Sequence, residues 1–229
     1  MANLRYIRPN RLRQKALACN TPVSWIWAII ILTLSWFVPA LGIGVVIWVL
    51  IKRANHHGQA ERYLKGAQGE ELALGSGTPG KGSLATLPDG YTVFNQVIAP
   101  LNNSTCELDY IVVGLNGVFA IEIKHHRGLI TGNENDLYWQ SHKTARNGHN
   151  TYATRARNPV AQVKRALFGL KQYLDEHDAA TWIQGIVVYT HPDCALNTGD
   201  TSVPVLRLEQ LADYIQNFKP QHSPRRLRE

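Results

Sequence analysis

Residues 108–124 read LDYIVVGLNGVFAIEIK. Two runs rich in Val and Ile flank Gly114-Leu115-Asn116-Gly117, whose glycines accept the positive φ that a tight hairpin turn demands. With Leu115 and Asn116 at the tip, antiparallel pairing sets Asp109 directly opposite Glu122, Cβ atoms ~5 Å apart. Strand side chains alternate between faces, so Lys124 shares the face of Glu122, while Phe119, Ile121 and Ile123 take the other and form core. An aspartate, a glutamate and a lysine are thus gathered at one edge of an otherwise apolar strand pair.

Two carboxylates this close repel unless a cation lies between them. Lys124 supplies part of that charge. A hard divalent ion supplies more, since Mg²⁺ takes oxygen ligands from one or two carboxylates together with a substrate phosphate. A lysine beside such an ion can orient or help deprotonate a water, or stabilise charge on the phosphate. This is the equipment of phosphodiester hydrolysis. The alternative is a salt-bridge cluster on an exposed sheet edge, with no chemistry attached.

Working outward, residues 59–74 are rich in Ala, Leu and Glu and predict a helix. Residues 75–83, GSGTPGKGS, predict a loop. Strands are expected at 91–99, 108–113, 118–124 and 183–190, with a small hairpin from 129–131 and 137–140. The stretch 141–157 is polar and without period, and predicts a loop. Asn158-Pro159 opens a helix to about Leu174, Asn as N-cap and Pro at the first position. A short strand at 205–206 and a helix over 208–217 close the domain. Helix, three strands, helix, strand predicts an α/β or α+β mixed sheet.

The formal net charge of +7 resides in the tails. Residues 1–20 carry +5, residues 52–65 carry +3 and residues 219–229 carry +3, while residues 66–218 carry −4. The high charge is therefore no argument that the domain binds nucleic acid. Locally, Lys143, Arg146, Arg155, Arg157, Lys164, Arg165 and Lys171 fall between Tyr138 and Leu174 with no acid among them. Such a stretch suits salt-sensitive phosphate binding, or simply a solvated face. No base-reading motif accompanies it, so little sequence specificity is expected. Cys19, Cys106 and Cys194 show neither CxxC spacing nor an even framework, which argues against zinc and disulfides and fits a reducing compartment. No Ser/His/Asp motif and no glycine-rich phosphate loop is present. His125 and His126 follow Lys124 as candidate metal or phosphate contacts, or as a strand end.

Residues 23–51 contain no charged side chain, a run of 29 against the ~20 that cross a bilayer as a helix. Trp25, Trp27 and Trp48 lie near its ends, where indoles favour the interface. Pro39, Gly42 and Gly44 interrupt it, leaving either one kinked span or a short hairpin; the single span is the preferred expectation. Both flanks are basic, which selects no direction for one span and suits anionic headgroups. The organisation expected is a basic arm (1–22), a membrane segment (23–51), a basic linker (52–65), a catalytic domain (66–218) and a basic tail (219–229).

Five segments in order resemble the nuclease-related domain (NERD) family of the PD-(D/E)XK nuclease superfamily. They are Gly66-Ala67-Gln68-Gly69-Glu70, Glu107–Val113, Gly117–Lys124, Gly128 with Trp139, and Asn158-Pro159 with Gln162. The resemblance covers about 66–190. It implies a restriction-endonuclease-like αβββαβ core, Asp109 and Glu122 as ligands of Mg²⁺ or Mn²⁺, Lys124 as the catalytic cation, Glu70 as an accessory acid and Gln162 near the metal or phosphate. It further implies a metal-dependent nuclease of bacterial type acting on DNA, for which the local charge pattern offers Lys143, Arg146, Arg155, Arg157, Lys164 and Arg165 as nucleic-acid contacts. With the apolar run, this predicts attachment to membrane lipid at the inner face of the cytoplasmic membrane. The pattern departs at Cys106-Glu107, where a small or amide residue is expected, and lacks the superfamily's proline before the aspartate. A non-catalytic membrane-tethered binding module on the same fold is the competing expectation.

Overall fold

The computed structural model describes residues 2–19, 29, 39–76, 80–101, 104–145 and 150–220. The chain divides into two compact units, Met1–Pro9 with Gly69–Glu229, and Asn10–Gln68. The second unit contains α1 (Arg11–Ala18) and most of α2 (Pro39–Leu74). Asn10 caps α1 by accepting from the Leu12 and Arg13 amides. Leu12 packs where a Cβ on Gly66 would come within 2.7 Å of its Cδ1, so the first glycine of the GxxGE segment is a close-packing residue. Residues 52–65 are helical throughout, as part of α2.

Among the described residues no helix is long and apolar enough to cross a membrane. About half of the expected membrane segment lies outside the described residues, which include residue 29 and positions from Pro39 onward. Pro39 is the first residue of α2, and Gly42 and Gly44 continue it.

The larger unit holds a six-stranded mixed sheet in the order β1-β2-β3-β4-β8-β10 and a four-stranded sheet in the order β7-β6-β5-β9. The first is built from β1 (Asn3–Tyr6), β2 (Thr92–Leu101), β3 (Ser104–Gly114), β4 (Gly117–Lys124), β8 (Ile183–Tyr189) and β10 (Val205–Arg207). Antiparallel β2-β3-β4 meets parallel β4-β8 and β8-β10. Helix α3 (Pro159–Glu176) contributes Val163, Ala166 and Leu170 to its packing, while α4 (Leu208–Asn217) contributes Leu211, Ala212 and Ile215. The mixed α/β architecture expected from the strand and helix order is present.

Two expectations fail here. The basic arm is not merely an arm: β1 pairs in parallel with β2, Ala2 is buried in the core, and the Asn95 side chain clamps the Arg8 backbone from both sides. Residues 141–157 are not a loop. They hold the end of β6 (Tyr138–Thr144) and all of β7 (Thr151–Arg157), paired antiparallel in the second sheet with β5 (Gly128–Gly132) and β9 (Cys194–Thr198). Six of the seven β7 residues are exposed, so neither face is selected for apolar side chains and no alternation is written into the sequence. Cys194, without visible partners in the sequence, opens β9 and is buried, with its thiol pushed up to about 11 by burial.

Candidate active site

The hairpin forms as its sequence requires. Gly114 pairs with Gly117, Leu115 is fully exposed at the tip, and Tyr110 pairs with Ile121. A Cβ on Gly114 would lie 2.3 Å from the Tyr91 ring, so the turn needs glycine for space as well as conformation. The register is the one that sets Asp109 opposite Glu122. There, however, the ladder stops. Beyond Tyr110–Ile121, β3 continues alongside β2 to the Ser104–Leu101 pair, and β4 continues alongside β8 to Lys124–Tyr189. The two strands part, and Asp109 bridges the split: its Oδ2 accepts the Ile123 amide at 2.6 Å in place of a backbone carbonyl.

Three side chains close on one another at this split. Glu122, 3% exposed, accepts at Oε1 from Lys124 Nζ at 2.5 Å and from Gln162 Nε2 at 2.6 Å. Lys124 Nζ also donates to Gln162 Oε1 at 3.1 Å. Gln162 is delivered by the Asn158-Pro159 helix start. Asn158 Oδ1 accepts from the Val160 and Ala161 amides, and its Nδ2 donates to the carbonyls of Asn133, Glu134 and Asp136. One buried asparagine therefore both caps α3 and ties it to the β5–β6 turn. The buried Trp139 indole donates to the same Asn133 carbonyl.

Glu70 arrives from the last turns of α2. It accepts from Gln96 Nε2 at 3.3 Å, and its backbone carbonyl accepts the Tyr110 hydroxyl at 2.9 Å. A Cβ on Gly69 would sit 2.7 Å from His125 Cβ and 3.1 Å from Thr190 Oγ1, so this glycine lets the helix press onto the ends of β4 and β8. Gln96 was missed in the sequence. It falls between the Asn95–Tyr110 and Val97–Leu108 pairs of β2 and β3, is 2% exposed, and has φ +51°, costly for a non-glycine residue. The one available signal was the polar pair Asn95-Gln96 inside an apolar strand.

The electrostatics are those of crowded acids. Burial, then Glu122, pushes the Asp109 carboxyl well above its usual range, against the pull of Lys124 and the Ile123 amide. Burial pushes Glu70 up to about 7, opposed by the Gln96 hydrogen bond and reinforced by Glu107, Glu122 and Glu71. Among the described residues no three His, Cys, Asp or Glu side chains form a metal-binding group by themselves, and His125 and His126 build no such centre. His125 Nδ1 instead pairs with Thr190 Oγ1 at 2.9 Å.

The basic candidates are spread over three elements of the larger unit. Lys143 lies on β6, and Arg155 and Arg157 on β7, paired with Gln140 and Tyr138. Arg165 lies on α3. Lys164 is ion-paired with Glu134, which also accepts from Ser202. Arg146 lies outside the described residues.

A mixed α/β sheet split at a hairpin, with two acids and a lysine in the split and a glutamine from the next helix, is the class of protein this geometry defines. Residues 65–190, just over half of the chain, match the family model described as nuclease-related domain, and the chain belongs to that family. Membership associates it with nuclease-related function and with nucleic acid. No curated protein and no solved structure matches it.

Proposed function

We propose that the chain is a metal-dependent nuclease that hydrolyses phosphodiester bonds in DNA with little sequence specificity. The observation that carries this reading is the closed Glu122–Lys124–Gln162 ring beside Asp109 at the split between β3 and β4. The donor set fits a hard divalent ion. Two carboxylates and one lysine share the split, and burial, then the neighbouring Glu122, holds the Asp109 carboxyl well above its usual range, a charge balance that a cation would relieve. A pair of acids leaves positions for water and phosphate oxygen, as Mg²⁺ prefers. Bound by Asp109 and Glu122, Mg²⁺ or Mn²⁺ would supply Lewis-acid polarisation of the phosphate and acidify a water. Lys124 carries fixed positive charge to the place where negative charge grows on phosphate. Gln162 holds Glu122 and Lys124 in one orientation. Glu70, with a carboxyl pushed up to about 7, can hold or release a proton near neutrality.

Glu122 already takes two donors at one oxygen, which is also what a cation-free binding module would need. The two readings separate in solution. Full-length protein should nick supercoiled plasmid with Mg²⁺ or Mn²⁺ and bind Mg²⁺ calorimetrically. Glu122→Gln and Lys124→Ala should each lower cleavage by at least about 10³-fold with the fold retained. Wild-type cutting by both variants sinks the mechanism. DNA binding without metal uptake favours the module.

The location proposed is the inner face of the cytoplasmic membrane, with lipid as a partner. Support comes from the apolar run 23–51 and its basic flanks. Strand β1 bears on the form of attachment. It ties residues before the run to the same unit as those after Gly69, which favours a hairpin entering and leaving by one face over a single span. Carbonate extraction and reporters at both termini test this. Reporters on opposite sides sink the hairpin, and release by carbonate sinks the anchor.

A further inference from the structure

From Lys124 the chain passes through His125, His126 and Arg127 to Gly128 and β5. Gly128 has φ +90°, and a Cβ there would meet the His142 carbonyl oxygen at 2.1 Å and Lys143 Cγ at 3.3 Å. The missing side chain thus makes room for the His142 carbonyl, and it brings the Lys143 stem beside the exit from the catalytic strand. Alternation along β6 puts Lys143 on the face of buried Trp139 and Ser141, and Ser141 Oγ fixes the Arg127 carbonyl at 2.8 Å. Tyr152 pairs with Lys143 across the ribbon and so shares its face, and its hydroxyl accepts from Arg127 Nη2 at 3.4 Å. Arg155 and Arg157 lie one residue out of phase, on the opposite face.

Lys143 and Arg127 therefore flank the chain where it leaves the catalytic strand after Lys124. His126 stands in this exit, and burial followed by Lys124 and Lys143 holds its imidazole down at about 4, so it adds no charge. Among the described residues neither Lys143 nor Arg127 has an acidic partner, unlike Lys164 with Glu134. Two cations without an acidic partner, Lys143 half-buried and Arg127 hydrogen-bonded to the Tyr152 hydroxyl, suit an anion near the catalytic lysine.

The geometry points to Lys143 and Arg127, with the Tyr152 hydroxyl, as a holding point for a backbone phosphate of nucleic acid flanking the one cleaved at Lys124. The placement rests on the nuclease reading; the phosphate contact itself does not. It divides the basic stretch into a substrate-facing part and a remainder (Arg155, Arg157 and Lys164) that does not hold this phosphate.

The test is anisotropy of a fluorescent DNA duplex with full-length protein, without divalent metal, over a range of salt. Lys143→Ala and Arg127→Ala should each weaken binding and lower the slope of log K against log salt by about 1, the signature of one lost phosphate contact. Lys143→Arg, which keeps the charge, should keep the slope, and Arg155→Ala and Arg157→Ala should leave it unchanged. Under cleavage conditions Lys143→Ala should raise KM severalfold with kcat little altered. An unchanged slope in Lys143→Ala and Arg127→Ala, or an equal loss in Arg155→Ala, overturns the assignment. Slope changes in a chain that never cuts would leave the holding point standing and remove the nuclease. Cutting with unaltered KM in Lys143→Ala would do the reverse.

Discussion

The β3–β4 hairpin and the β6–β7 ribbon are both antiparallel pairs in one chain, yet only the first could be read from residues. In β4 the five positions Phe119–Ile123 are all buried, and in β3 Leu108 and the run from Tyr110 to Val112 are buried too. Burial on that scale leaves Val, Ile and Phe in nearly every position, and any charge remaining there stands out as Asp109, Glu122 and Lys124 do. In β7 water lies on both sides, and the same backbone pairing is made by TYATRAR. Hydrogen bonding between strands is sequence-blind; burial is what leaves the pattern. The larger the share of a strand's partners that are water, the less its sequence says.

That contrast can be broken by stability measurements. The largest effect is expected from Phe119→Ala, which empties a fully buried site against Phe218 and should cost about 3–5 kcal/mol in chemical denaturation. A cost below about 1 kcal/mol would mean that the hairpin core is loosely packed. Next comes Asn158→Ala, which strips the α3 cap and leaves three carbonyls without their shared donor. A loss of about 2–3 kcal/mol is expected, and a loss typical of a cap alone, about 1 kcal/mol, would show that the β5–β6 turn does not depend on it.

Glu70→Gln sharpens the comparison through pH. A carboxyl raised from 4.5 to about 7 in the fold disfavours folding as pH climbs through that interval, because the unfolded chain ionises first. In metal-free protein the substitution should therefore stabilise by on the order of 2 kcal/mol at pH 8 and by nothing below pH ~4.5. Thermal melts across pH check this, and a pH-independent difference would show that Glu70 ionises normally. The smallest effect belongs to the ribbon: Thr154→Ala, exposed on β7, should stay within about 0.5 kcal/mol of the parent chain.

Much of the candidate site was legible because its residues interrupt an apolar grammar. The register of the hairpin follows from two glycines around a two-residue tip, and it sets Asp109 against Glu122. Gln162 could be placed only through the Asn158-Pro159 helix start and the family resemblance, since nothing in residues 159–174 marks that glutamine as different from other polar positions. Gln96 was marked only by the polar pair Asn95-Gln96 inside an apolar strand, and its role depends on a positive φ that amide side chains seldom advertise. The closure of the sheet by β1 was hidden for another reason. The four residues Asn3-Leu4-Arg5-Tyr6 are too few to carry a strand signal of their own, and they become a strand beside the edge that β2 offers.

That short first strand also sets an order of events during synthesis. Asn3 leaves the ribosome early but cannot take its place beside Thr92 until everything between them has been made. The cost of closing so long a loop is entropic and slow to recover. The opening residues therefore behave as a clasp that must wait for its catch, and whatever path the intervening chain takes must bring it home to the edge from which it set out.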